Sequence, residues 1–176
     1  MQYADKFLKE FDEEFANTRR MLSLVPNDRL TWKPHEKSME LGRLAWHTAD
    51  FPDWALMTLT KTEFSMGEED AAKAYGGWNG KTREEILSRF DADLVKARAA
   101  LAASSEADLA AHWKMEWRGQ TVIDAPREDV YRKWCINHMI HHRAQLGVYL
   151  RLLGIAIPGF YGPSADEGMP EPAAVA

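Results

Sequence analysis

Two histidines, His138 and His142, stand four residues apart in the stretch WCINHMIHHRAQL, which reads as part of a long helix. At about 100° per residue they lie roughly 40° apart on one face, one turn above the other, so both imidazoles can reach one metal ion. Tyr131, Trp134, Cys135, Gln145, Tyr149, Leu152 and Leu153 project onto that same face, which makes it an apolar seam expected to point inward, with His141 at its edge. A third histidine, His47, shares a helical stripe with Leu44, Phe51, Trp54 and Thr58. Taken alone it reads as a packed core histidine. Beside the pair it completes a set of three imidazoles from two helices, and three protein ligands leave a coordination position open, as in catalytic rather than structural zinc sites.

Three neutral imidazoles leave the charge of a divalent ion uncompensated. An anionic fourth ligand is then favoured, and bound water can acidify toward a pKa of ~7. The reacting group expected at such a site is metal-bound water or a metal-bound thiolate. Zinc, nickel, copper and iron all accept imidazole, and zinc or nickel is the expectation here.

The supporting residues each carry two readings. Tyr131 and Tyr149 share the ligand face, where a phenol would serve a substrate or pack against a backbone partner. Gln145 projects inward near the pair, where an unpaired amide is costly, so it should bond a ligand, a water or a loop. Asp50, one turn past His47, would orient an imidazole or lie at the surface. Cys135 reads as a packing residue with a secondary reading as nucleophile or soft ligand. His112 falls on the polar side of its segment. Arg143 points away from the seam, toward a salt bridge or a dimer contact, and Trp54 and Trp134 are candidates to line a substrate pocket.

These side chains need elements to hold them. Tyr3, Phe7, Phe11, Phe15, Thr18, Leu22 and Val25 recur at three- and four-residue intervals, which predicts a first helix from about Ala4 to Leu24 that stops before Pro26. Ser38 is a plausible cap for the helix carrying His47, and Pro52 should kink or divide it about one turn later. A glycine-bearing connection from Lys61 to Gly80 is long enough to cross over the molecule. Thr82 and Glu85 form a capping box for a third helix with Ile86, Phe90, Leu94, Ala97 and Leu101 on its buried face. The alternation of His112, Lys114, Glu116 and Arg118 with Trp113, Met115 and Trp117 reads as one short strand or hairpin arm, too little to predict a sheet. The last helix should run from Pro126 to Gly154. The expected fold is all-α: a four-helix bundle with crossover topology over 1–155, then a partly irregular C-terminal extension over 156–176 whose final GMPEPAAVA lacks a core pattern.

The chain has 176 residues, 45% of them hydrophobic, enough for one domain with a substantial core. The net charge of −5, with basic residues interleaved among acidic ones, argues against nucleic acid and anionic membranes as partners. A single cysteine fits a reducing compartment, and no run approaches the ~20 apolar residues of a spanning helix. A soluble, cytoplasmic protein is expected.

The stretches WKPHEKSMELGRLAWH, NHMIHHRAQLGVYLRLLG and IPGFYGPSADE, taken with the helix spacing, resemble the DinB-like (YfiT-like) superfamily of metalloenzymes over nearly the whole chain. The resemblance implies an up-down-down-up helix bundle, often a homodimer, with a divalent metal on three histidines that map here to His47, His138 and His142. Some members are S-transferases using a low-molecular-weight thiol, others resemble mycothiol-dependent isomerases, and many have no assigned reaction. The leading reading is a metal-dependent thiol S-transferase acting on a small-molecule substrate, ahead of a hydrolase. The alternatives are a non-catalytic metal-binding stress-response protein and a bundle whose histidines merely pack.

Overall fold

In the computed structural model, residues 4–68 and 77–168 are described. The place expected for Tyr3, part of the Lys61–Gly80 connection and the tail beyond Gly168 lie outside them. The first stripe forms α1, Asp5–Leu22, which buries Phe11, Phe15, Thr18, Met21 and Leu22. The second helix begins at Leu41, with Glu40 rather than Ser38 at the N-cap position and no side-chain capping bond. It is divided at Asp50 into α2 (Leu41–Ala49) and α3 (Phe51–Thr60), with Pro52 in the first turn of α3, where its missing N–H costs nothing. The capping box opens α4 (Arg83–Ala103): Thr82 Oγ1 accepts the Glu85 N–H, and Glu85 accepts the Thr82 N–H at 2.9 Å. A short α5 (Glu106–Ala110) follows. The last helix starts as α6 (Arg127–Val130), widens into π-helical turns over Tyr131–Asn137, and continues as α7 (His138–Leu152). Gly154, at φ +75°, ends it, and the Ile155 N–H returns to the Leu150 carbonyl.

The fold is not all-α, and the four-helix bundle expected over 1–155 is corrected accordingly. Three strands, β1 (Glu63–Met66), β2 (His112–Trp117) and β3 (Gln120–Pro126), form one sheet in the order β1-β2-β3. β1 runs parallel to β2, a pairing that needs a crossover connection, and α4 and α5 supply it. β2 and β3 are joined antiparallel through Arg118 and Gly119, both at positive φ, as a two-residue hairpin turn requires. The alternating side chains of β2 have a face to bury, and Met66, Trp113, Met115, Ile123 and Val130 form a second core beside the helical one. Only pairing across a long sequence separation turns the short EFSM segment into a strand, which is why helical periodicity missed it.

The helical core holds Phe11, Phe15, Leu44, Phe51, Phe90, Leu101, Met139 and Leu146, all at most 1% exposed. The C-terminal segment is tied back by Arg143, which is 2% exposed. Its guanidinium donates to the Glu14 carboxylate at 2.7 Å and to Thr18 Oγ1, while Tyr161 donates to the same carboxylate. Arg143 thus binds α7 to α1, fixing the helix that carries two of the three histidines. Among the described residues no helix is long and apolar enough to cross a membrane.

Candidate metal centre

His47 sits in the last turn of α2, just before the Asp50 joint, and His138 and His142 occupy the first two turns of α7. Their ligand-capable nitrogens all lie within 4.8 Å of one another, a grouping that includes no carboxylate. The ring of His47 is 4.6 Å from that of His142 and 5.5 Å from that of His138, and Phe51 presses on His138 at 4.9 Å. Nε2 of His138 and Nε2 of His142 are 2.9 Å apart. Two ligands of a tetrahedral ion would stand about 3.3 Å apart for bonds of about 2.05 Å, so the pair needs to open by only a few tenths of an ångström.

The hydrogen bonds define the tautomers. Gln145 Oε1 lies 2.8 Å from Nδ1 of His142, and an amide oxygen only accepts, so Nδ1 carries the proton and Nε2 offers its lone pair to the cluster. The Gln145 amide nitrogen then donates to Nε2 of His141 at 3.0 Å. His138 hydrogen-bonds the Trp134 backbone, which takes up the one proton of a neutral ring, so its Nε2 is bare as well and the two Nε2 lone pairs face the cluster 2.9 Å apart. Burial pushes the His47 imidazole down to about 3, helped by the neighbouring His142, His138 and Arg43. Burial likewise lowers His142 to about 4, against the Gln145 hydrogen bond, and burial followed by His141 lowers His138. All three imidazoles are therefore neutral near pH 7, the form that binds metals.

The other predicted residues separate. Tyr131 is fully buried against Phe7, off the cavity wall, and burial raises its phenol. Tyr149 donates to the Met39 carbonyl at 3.3 Å, the packing role open to it. Gln145 bonds two histidines rather than lining the cavity. Cys135 is fully buried with its thiol 3.6 Å from Thr58 Oγ1, and burial pushes it up to about 12, which removes it as a nucleophile. His141 and His112 are exposed, the latter facing Asp124. Trp134 is 38% exposed: the wide turns of Tyr131–Asn137 break the 100° phase on which its inward placement rested.

A cavity of about 360 Å³ opens beside the histidines. Its wall includes Arg43, Trp46, Asp50 and Trp54 from the helices and Met66, Met115 and Trp117 from the sheet. The strands are thus one wall of the site. Asp50 forms a contact ion pair with Arg89, and burial, opposed by that guanidinium, raises its carboxyl to about 7. Sequence reasoning missed Arg43, Trp46 and Trp117. Arg43 is one turn before His47 on the same face, and Trp117 continues the inward alternation of Trp113 and Met115, so both signals were present.

The DinB family model matches residues 1–172. The chain is 24% identical over 166 residues to the uncharacterized protein YrdA of Bacillus subtilis (strain 168), covering 94% of this chain and 92% of that one. Its fold is similar to the crystal structure of a DinB-like protein, YjoA, from Bacillus subtilis, with a TM-score of 0.66, 17% identity, and coverage of 89% of this chain and 97% of that one. A DinB-like protein from Bacillus cereus ATCC 10987 gives 0.64 at 22% identity, over 88% and 95% of the two chains.

Proposed function

Because the chain belongs to the DinB family, we propose that His47, His138 and His142 hold one divalent metal ion, zinc or nickel. In the proposed reaction a small nucleophile, foremost a low-molecular-weight thiol, gives up its proton and bonds through sulfur to an electrophile in the adjoining cavity, whose leaving group departs with the electron pair of the broken bond. The observation that carries this reading is the convergence of three neutral imidazoles on one point beside a largely apolar cavity. The donor set suits zinc or nickel and leaves a position open. When bound, such an ion supplies Lewis acidity and makes a thiol or water ligand more acidic.

The chain's own residues do the rest. Gln145 holds the His142 ring in register, Arg143 fixes α7 against α1, and Trp46, Trp54 and Trp117 exclude water from the cavity. Cys135 is too buried and too weakly acidic to provide the thiol, so the thiol comes from solution. The proposal includes assembly as a homodimer, supported by Val148 and Leu152 standing 59% and 60% exposed on α7, and sedimentation of the purified chain tests it.

One observation favours a second reading, metal binding without catalysis: neither Tyr131 nor Tyr149 reaches the cavity, and among the described residues Asp50 is the one carboxyl group on its wall. Metal content per chain, measured by mass spectrometry on tag-free protein beside His138→Ala and His141→Ala, tests the site. Near-stoichiometric metal, lost in His138→Ala and kept in His141→Ala, supports it, and a screen of thiols with electrophiles then separates the two readings. Protein that takes up neither zinc nor nickel defeats both.

A further inference from the structure

The cavity wall combines aromatic and thioether side chains with basic and metal-binding ones. Trp46 and Trp54 approach from the helices, Trp117 from the end of β2, and the flexible thioethers of Met66 and Met115 from the sheet. The Trp46 indole is held in place, because the Arg89 guanidinium lies 4.3 Å from its ring centre while pairing with Asp50. Three indoles supply flat, polarisable walls that favour stacking, and thioethers adapt to ring edges. The same wall carries the histidines and Arg43, the latter one helical turn before His47. Among the described residues Asp50 is the acid on this wall, where it pairs with Arg89, and the grouped metal-binding side chains are all histidines.

We infer that the cavity takes a flat aromatic molecule bearing one carboxylate, its ring against Trp46, Trp54 and Trp117 and its carboxylate toward Arg43 and the histidines. The carboxylate half rests on the metal-site reading above; the aromatic half does not.

The probes are naphthalene carboxylate and its uncharged carboxamide, titrated calorimetrically into zinc-loaded and zinc-free protein. The carboxylate should bind the zinc-loaded protein about tenfold tighter than the carboxamide, as charge-assisted contacts are stronger than neutral ones. Trp117→Leu should weaken both probes by about tenfold through the lost stacking. Trp54→Leu serves as a second variant should Trp117→Leu not fold, as judged by circular dichroism. Equal affinity for the two probes overturns the carboxylate class. Unchanged affinity in a folded tryptophan variant, or no binding of either probe, overturns the aromatic one. Should zinc not be taken up, the metal reading fails, yet the zinc-free titration still judges the wall: carboxamide binding lost in the tryptophan variants upholds it, and binding retained in them overturns it.

Discussion

Gln145 accepts the Nδ1 proton of His142 at 2.8 Å and thereby decides which nitrogen of that ring faces His47 and His138. The bond holds the ring's orientation and raises the basicity of Nε2, the nitrogen available to a metal. Replacing Gln145 with Leu leaves the ring free to rotate and to exchange tautomers. Zinc affinity should fall by about tenfold to a hundredfold, read by competition with a chromophoric chelator. Gln145→Glu, which still accepts that proton, should retain most of the affinity, and equal losses in the two variants would count against an orienting role.

The histidine cluster was legible because it rests on local spacing. His138 and His142 are one turn apart whatever the rest of the chain does, and His47 lies on a stripe that any helix there must bury. Gln145 was legible because an inward amide needs a partner. The sheet was not, because β1 gains its identity only from Lys114 to Trp117, far along the chain, and carries little alternation of its own. Trp134 was misplaced for a geometric reason: sequence spacing assumes α-helical phase, and Tyr131–Asn137 is wound more widely. The cavity needed both kinds of information, since its helical wall follows from local stripes and its sheet wall from long-range pairing.

The hairpin between β2 and β3 makes a local prediction. Gly119 sits at φ +76° with open space where a Cβ would lie, so the cost of Gly119→Ala is conformational. It should destabilise the protein by about 1 kcal/mol. Arg118, at φ +51°, is a residue poorly suited to its place in the turn, and Arg118→Asn should raise stability by a few tenths of a kcal/mol, roughly, because Asn followed by Gly suits this turn. Urea unfolding of the two variants checks both signs, and a stabilising Gly119→Ala would contradict the assigned turn.

The buried pair of Arg143 and Glu14 should be costly to break from one side. Both side chains are at least nine-tenths buried, so Glu14→Leu leaves a guanidinium in the core without a counter-ion from this pair, held by the residue-14 carbonyl, Thr18, Tyr161 and the face of Phe160. The expected loss is about 3 to 5 kcal/mol in denaturant unfolding. Tyr161→Phe removes one hydroxyl from the same cluster and should cost about 1 kcal/mol. A Glu14→Leu loss no larger than that of Tyr161→Phe would show that the charge is compensated elsewhere.

The lowered imidazoles give metal-free protein a defined acid response. His47 and His142 resist protonation until about 3 and about 4 when folded, against an ordinary value of 6.5 that applies in the unfolded chain. Between 6.5 and those values the unfolded chain binds more protons, so stability should fall as pH falls through this window. Asp50 acts in the opposite sense, because its folded value of about 7 lies above the ordinary 3.8 and its burial cost is relieved as pH drops. Three histidines outweigh one aspartate, so the melting temperature should decline from pH 6.5 toward 4. His47→Gln should flatten the decline, and an equally steep profile in that variant would place its origin outside the cluster.

The same neutrality bears on metal binding itself. Imidazoles with ordinary pKa values are partly protonated at pH 6, and a metal must displace those protons, so affinity falls with acidity. In the folded chain burial keeps His47, His138 and His142 in the neutral form, so an incoming ion meets lone pairs rather than protons. Zinc uptake should therefore release almost no protons from these side chains between pH 7.5 and 6, and affinity should stay nearly flat over that range. Calorimetry in buffers of different ionisation enthalpy counts the protons directly. Release of about one proton or more per zinc at pH 6 would mean that a charged imidazole, or an acidic ligand outside the histidine set, takes part in binding.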